Sequence, residues 1–204
     1  AVRCTQYREE GGAGDNGVGC VRGVIAGGGK LDNTIVRVLG EQGPQIPGGK
    51  WTCWYPGVHS ALVARYPAKI EAGRISNAIV QYEDLLPTFI DIAGGEARKE
   101  LDGISFKDAL FGDAERARDY AYGLHNNIPE GNPYPIRYIR DERYALIWNL
   151  TPDVPYHETH YMGNPPAPML ASWEDKTLHA PQAQLLLDRV VLRRSCSVCY
   201  LPND

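Results

Sequence analysis

NTIVRVLGEQGPQIPGGKWTCWYPGVHSALVARYP, residues 33–67, is the stretch whose pattern decides the fold. Ile35, Val36, Val38 and Leu39 form a short β-branched run, the pattern of a buried parallel strand. The run ends in an acid–amide pair, Glu41-Gln42. A Gly/Pro loop follows and carries Lys50. A second apolar run, Ala61 to Tyr66, resumes the strand pattern and is stopped by Pro67. Hard oxygen donors at a strand end, with a cation one short loop away, suit a site that holds a hard metal ion and an anion together.

Outward from this stretch the periodicity changes twice. Ala78-Ile79-Val80 predicts a third strand within 75–82. Asp84 to Ala93 predicts an amphipathic helix, with Leu85, Leu86, Phe89, Ile90 and Ala93 on one stripe, Pro87 in the first turn and Gly94 beyond the end. Leu101-Asp102-Gly103 predicts a turn, and Ser105 can cap a short helix ending at Gly112. Ile136 to Arg140 and Tyr144 to Leu150 predict an antiparallel hairpin around Asp141-Glu142, with Tyr144, Leu146, Trp148 and Leu150 sharing a face. Residues 151–170 predict a loop, and Gln182 to Arg189 a short helix. Gly12 to Gly17 spells G-x-G-x-x-G, but Arg8-Glu9-Glu10 is no strand and Gly17 to Gly19 opens no helix, so a flexible glycine-rich segment is expected there.

Composition narrows the function. The chain has 204 residues, 43% of them hydrophobic, enough for one good-sized domain or a domain with an appended subdomain. The 22 glycines and 15 prolines imply many loops, where enzymes carry function. A formal net charge of −4 disfavours a nucleic-acid partner or an anionic membrane. No apolar run approaches the ~20 residues of a membrane span. No signal peptide opens the chain, and localisation is not legible. Five cysteines, an odd number, make no disulfide framework. Cys196-Ser197-Val198-Cys199 lacks the further ligands of a zinc site and the flanking helix of a redox pair, and reads as two ordinary thiols.

The chemistry concentrates in the opening stretch. Glu41 offers a carboxylate and Gln42 an amide carbonyl, donors that calcium accepts and zinc does not prefer. The same residues before a glycine can equally be a solvated loop. Lys50 follows Gly48-Gly49 and is a compact charge able to bind a sulfate or phosphate oxygen, although a surface lysine is the commoner case. Trp51, Trp54 and Tyr55 could wall a pocket or fill a core.

Taken together, Leu31-Asp32-Asn33-Thr34-Ile35-Val36, the Gly40-Glu41-Gln42-Gly43 turn, Gly49-Lys50-Trp51-Thr52, Tyr55-Pro56-Gly57, Ala64-Arg65-Tyr66-Pro67-Ala68-Lys69-Ile70, Asp84-Leu85-Leu86-Pro87-Thr88, Leu101-Asp102-Gly103-Ile104-Ser105-Phe106 and Tyr134-Pro135-Ile136-Arg137 with Arg143-Tyr144 resemble the sulfatases. The resemblance covers about residues 30 to 150. It implies an α/β fold: part of an alkaline-phosphatase-like α/β sandwich with a C-terminal antiparallel β subdomain. It also implies hydrolysis of sulfate esters with a divalent metal, usually Ca²⁺ in this family, acting on a sulfated small molecule or carbohydrate. By resemblance Glu41 and Gln42 are metal ligands, Lys50 binds the sulfate group and acts in catalysis, and His125, in Gly123-Leu124-His125-Asn126-Asn127, lies in a substrate-lining segment. His59 stands where relatives often carry arginine, and a structural role is expected. Asp15-Asn16-Gly17 spells the usual metal-ligand triplet but lacks the strand before it and the lysine loop after it.

The departures define the expected organisation. The Cys/Ser-x-Pro-x-Arg motif from which sulfatases make their formylglycine nucleophile does not occur in this sequence. The early Asp-Asp ligands are missing too, so the resemblance is to a C-terminal half, whose partner would be the N-terminal half of the fold. The expected division is an irregular glycine-rich segment at 1–29, a sulfatase-like α/β part at 30–125, and a small antiparallel β subdomain with loops and a degenerate tail at 126–204. A non-catalytic remnant, or a phosphodiesterase or phosphonate hydrolase of the same superfamily, is the alternative.

Overall fold

The computed structural model describes residues 11–41, 49–126, 133–154, 175 and 196–200. The chain forms two compact units, one built from 1–40 and 61–118, the other from 41–60 and 119–204. The predicted helix at Gln182 to Arg189, and most of the predicted loop at 151–170, lie outside the described residues.

The first unit begins with helix α1, Gly11–Gly27. Over 11–27 this corrects the expectation of an irregular segment at 1–29, of which residues 1–10 lie outside the described residues. Glycine costs about 1 kcal/mol per helical position against alanine, and the seven glycines of this segment mask the period of its apolar residues. Val18, Val21 and Ile25 recur at helical spacing, and Val18 and Ile25 are half-buried. The G-x-G-x-x-G run and Asp15-Asn16-Gly17 fall inside this helix, with no strand before them among the described residues.

Strand β1, Val36–Leu39, pairs with β2, Leu62–Arg65, so both predicted strands exist. They run antiparallel, with Val36 opposite Arg65 and Leu39 opposite Leu62. An unbroken apolar run suggests direction only through burial on both faces. Here Val38 and Leu39 are 40% and 43% exposed, and the polar Arg37 interrupts the run. Ala78-Ile79-Val80 joins no ladder among the described residues, although Ile79 is buried.

Helix α3, Leu85–Ile92, follows a short 3₁₀ turn at Tyr82–Asp84. Gly94, at φ +79°, ends it as the sequence predicts. Its buried face is not the apolar stripe. Leu86 and Phe89 are exposed, while Pro87 and Thr88 are buried. Polar groups dock this helix. The Thr88 hydroxyl donates to the Asp84 carbonyl at 2.6 Å and accepts from the Phe106 amide at 3.0 Å. The Asp84 carboxylate, wholly buried, accepts from the amides of Gln81 at 2.8 Å and Ile104 at 2.9 Å and pairs with Arg118. Only glycine fits at 103, because a Cβ there would lie 1.9 Å from the Glu83 carbonyl oxygen. That contact explains the Leu101-Asp102-Gly103 turn. Helix α4, Lys107–Phe111, then ends at Gly112, and the Ser105 hydroxyl accepts from the Lys107 amide at 3.3 Å, near the predicted cap.

The second unit holds helix α2, Tyr55–Val58, and a four-stranded antiparallel sheet in the order β3-β4-β5-β6. These strands are Ala121–His125, Ile136–Arg140, Tyr144–Asn149 and Cys196–Tyr200. The predicted hairpin is β4–β5. Its turn is fixed by the Asp141 carboxylate, which accepts from the amides of Arg143 and Tyr144, both at 2.7 Å. The expected boundary after 125 moves: β3 pairs with β4 from Ala121 to His125, and residues 41–60 join this unit. On β5 the buried residues are Ala145, Ile147 and Asn149, while Tyr144 and Trp148 face outward. The core gathers Cys53, Tyr134, Ile136, Tyr138, Ala145 and Ile147, with Trp54 and Val58 packed against it. The C-S-V-C run contributes its backbone to β6.

Candidate functional site

The lysine loop is shaped by two close contacts. Gly49, Lys50, Trp51 and Thr52 form a turn in which the Thr52 amide donates to the Gly49 carbonyl at 3.2 Å. The Thr52 hydroxyl donates to the same carbonyl at 2.7 Å and accepts from the Trp54 amide at 3.2 Å. Gly57 lets α2 pack down on this turn, since a Cβ at 57 would stand 2.3 Å from the Gly49 carbonyl oxygen and 2.6 Å from that of Thr52. Gly57 is therefore a packing requirement of the lysine turn.

Lys50 Nζ lies 3.7 Å from Glu41 Oε2, its side chain 27% exposed and that of Glu41 77%. The structure thus joins two of the residues that the sequence singled out. Gln42 lies outside the described residues. A cavity of about 200 Å³ adjoins the loop, lined by Trp51, Thr52, Cys53, Gly57, Val58, Gly123, Leu124 and His125. His125 is the last residue of β3, which brings it to this cavity; Lys50 is not among the lining residues but precedes Trp51, which is. Of the three aromatic candidates, Trp51 walls the cavity, Trp54 packs on the core, and Tyr55 is exposed. The Tyr55 ring stacks on His59 with centroids 4.6 Å apart, in keeping with a structural role for His59.

Electrostatics separate the groups further. Burial pushes the Cys53 thiol up to about 12, against the opposing charge of Arg137. At neutral pH Cys53 is protonated and is no thiolate nucleophile. Burial also raises the Tyr134 and Tyr138 phenols above their usual range. The calcium expectation meets a short donor set. Glu41 is a hard carboxylate of the right kind, yet calcium takes about 6–8 oxygens, and the described residues gather no group of three His, Cys, Asp or Glu. The donors fit such an ion in kind and fall short in number. The sequence did not reveal Trp51 as special. Its φ of +65° makes it the one non-glycine residue with positive φ among those described, and no sequence signal marks that in a tryptophan.

Comparison with known proteins identifies the family. The family described as N-sulphoglucosamine sulphohydrolase, C-terminal, matches residues 50–192. An ulvan-active sulfatase of Formosa agariphila is 38% identical over 121 residues, covering 58% of this chain and 24% of that protein. The N-sulphoglucosamine sulphohydrolase of Homo sapiens is 27% identical over 152 residues, covering 70% of this chain and 30% of its own length. A solved structure of a protein in complex with its substrate D-glucosamine-2-N,6-O-disulfate superposes with a TM-score of 0.62 at 24% identity, over 86% of this chain and 38% of that one. That likeness establishes the fold, part of the alkaline-phosphatase-like α/β architecture with its antiparallel C-terminal sheet.

Proposed function

Because the chain belongs to the sulfatase family, in the part described as N-sulphoglucosamine sulphohydrolase, C-terminal, we propose that it forms the C-terminal portion of a metal-dependent enzyme hydrolysing sulfate esters of a carbohydrate. The observation that carries this is the Lys50 ammonium, 3.7 Å from the Glu41 carboxylate, on the loop that walls the cavity. The matched relatives are much longer, and this chain spans 24% and 30% of two of them. The whole activity is therefore proposed for a protein that contains this region.

In that enzyme Lys50 holds sulfate oxygens and stabilises the charge that grows on them as the S–O bond breaks. His125 and Trp51 border the space for the sugar. The sulfated glucosamine bound by the structural relative supports this substrate class. Glu41 and Gln42 would be two oxygen ligands of a divalent cation, with further ligands supplied from outside the described residues. Such an ion, when bound, would draw charge from the sulfuryl oxygens. The nucleophile is likewise no residue of this sequence, which has no Cys/Ser-x-Pro-x-Arg.

Calorimetry tests both halves of the site. Calcium should give a binding heat that Glu41→Ala abolishes, and glucosamine 6-sulfate one that Lys50→Ala abolishes. Wild-type protein giving neither heat would overturn the binding roles of Glu41 and Lys50 in this chain.

A further inference from the structure

We propose that Trp51 is a positioning residue, whose indole face holds the Lys50 ammonium in place for a sulfate oxyanion. The inference rests on Lys50 as the anion-binding cation, and it starts from the backbone. Gly49 to Thr52 is a four-residue turn closed by an amide-to-carbonyl bond of 3.2 Å, and its third residue, Trp51, has φ +65°. A positive φ at the third position of a four-residue turn ordinarily goes to glycine or asparagine. A bulky residue there is strained, and such strain persists where the surroundings over-determine it. Here the second bond to Gly49, from the Thr52 hydroxyl at 2.7 Å, and the packing of Gly57 on the same carbonyl oxygen hold the turn.

What the tryptophan offers in return is its ring. Lys50 Nζ lies 5.2 Å from the Trp51 ring centroid, within range of a cation–π attraction. The same ring walls the cavity that His125 borders. An ammonium has three N–H donors and a flexible stem. A carboxylate such as Glu41 holds it by neutralising it. A ring face holds it and leaves its charge whole and its donors available to an oxyanion. Among the described residues, Lys50 therefore has Glu41 as a neighbour that competes with sulfate and Trp51 as one that does not.

NMR of the full chain, titrated with inorganic sulfate and followed at the Lys50 methylene resonances, tests this. In wild type these resonances should be ring-shifted and should move with sulfate. Trp51→Gly, which relieves the turn, should lose the ring shift and bind sulfate about 3- to 5-fold more weakly. Trp51→Leu, which keeps bulk without a π-face, should weaken binding equally and serves if the glycine variant does not fold. Trp51→Phe should restore affinity to within about 2-fold of wild type. Sulfate affinity unchanged in the glycine and leucine variants would overturn the role of Trp51 alone. So would a phenylalanine variant as weak as the leucine one. Lys50 resonances indifferent to sulfate in every protein would overturn the anion site itself, and the positioning role with it.

Discussion

At Cys53 the thiol is 1% exposed, and its pKa, raised from 9.0 to about 12, ties stability to pH. The folded value lies above the unfolded one. Its contribution is therefore whole below about pH 9 and is lost as pH climbs toward 12. Tyr134 and Tyr138, also raised by burial, act in the same direction. Denaturation midpoints measured from neutral to alkaline pH should fall, and Cys53→Ala should flatten that fall; an identical slope in the variant would contradict the burial. Single residues were unevenly legible from sequence. The nearness of Glu41 and Lys50 was legible because a strand end and a glycine loop bracket them. Trp51 was not, because a tryptophan gives no sign of a left-handed backbone, and nothing local predicts that Gly57 must admit the Gly49 carbonyl.

Among the elements, β1 carries a buried charge. Arg37 lies over the Phe89 ring at 4.1 Å and the Phe106 ring at 5.2 Å. Its guanidinium nitrogens are buried with no hydrogen-bond partner among the described residues, and burial pulls its pKa below the usual arginine value. A charge desolvated against rings, without a hydrogen-bond acceptor among the described residues, is costly. Arg37→Met should raise the urea midpoint, with a gain of about 1 kcal/mol; a clear loss would mean that the rings more than offset the desolvation. Sequence legibility follows the kind of packing each element uses. The β4–β5 hairpin could be read because alternation directly encodes a half-buried sheet. Helix α3 could be located, but not its buried face, because Asp84 and Thr88 dock it by hydrogen bonds that hydrophobic periodicity does not register. Helix α1 was hidden by glycines, and the direction of β1 against β2 by a pattern that carries no sense of direction.

Over the whole molecule, function and fold separate. The sequence pointed to the family through ordered motifs spread over both units, yet the motif for the nucleophile is absent from it. The purified chain should hydrolyse no aryl sulfate; metal-dependent turnover abolished by Lys50→Ala would refute that expectation. The long stem of the lysine loop has a further consequence. Leu39 and Leu62 are ladder partners, and the Gly40 amide donates to the Ala61 carbonyl at 2.7 Å, so residues 41–60 leave and return through a single clasp. It is the last backbone bond before the chain departs, so a proline at 40, with no amide to give, would unpin that exit.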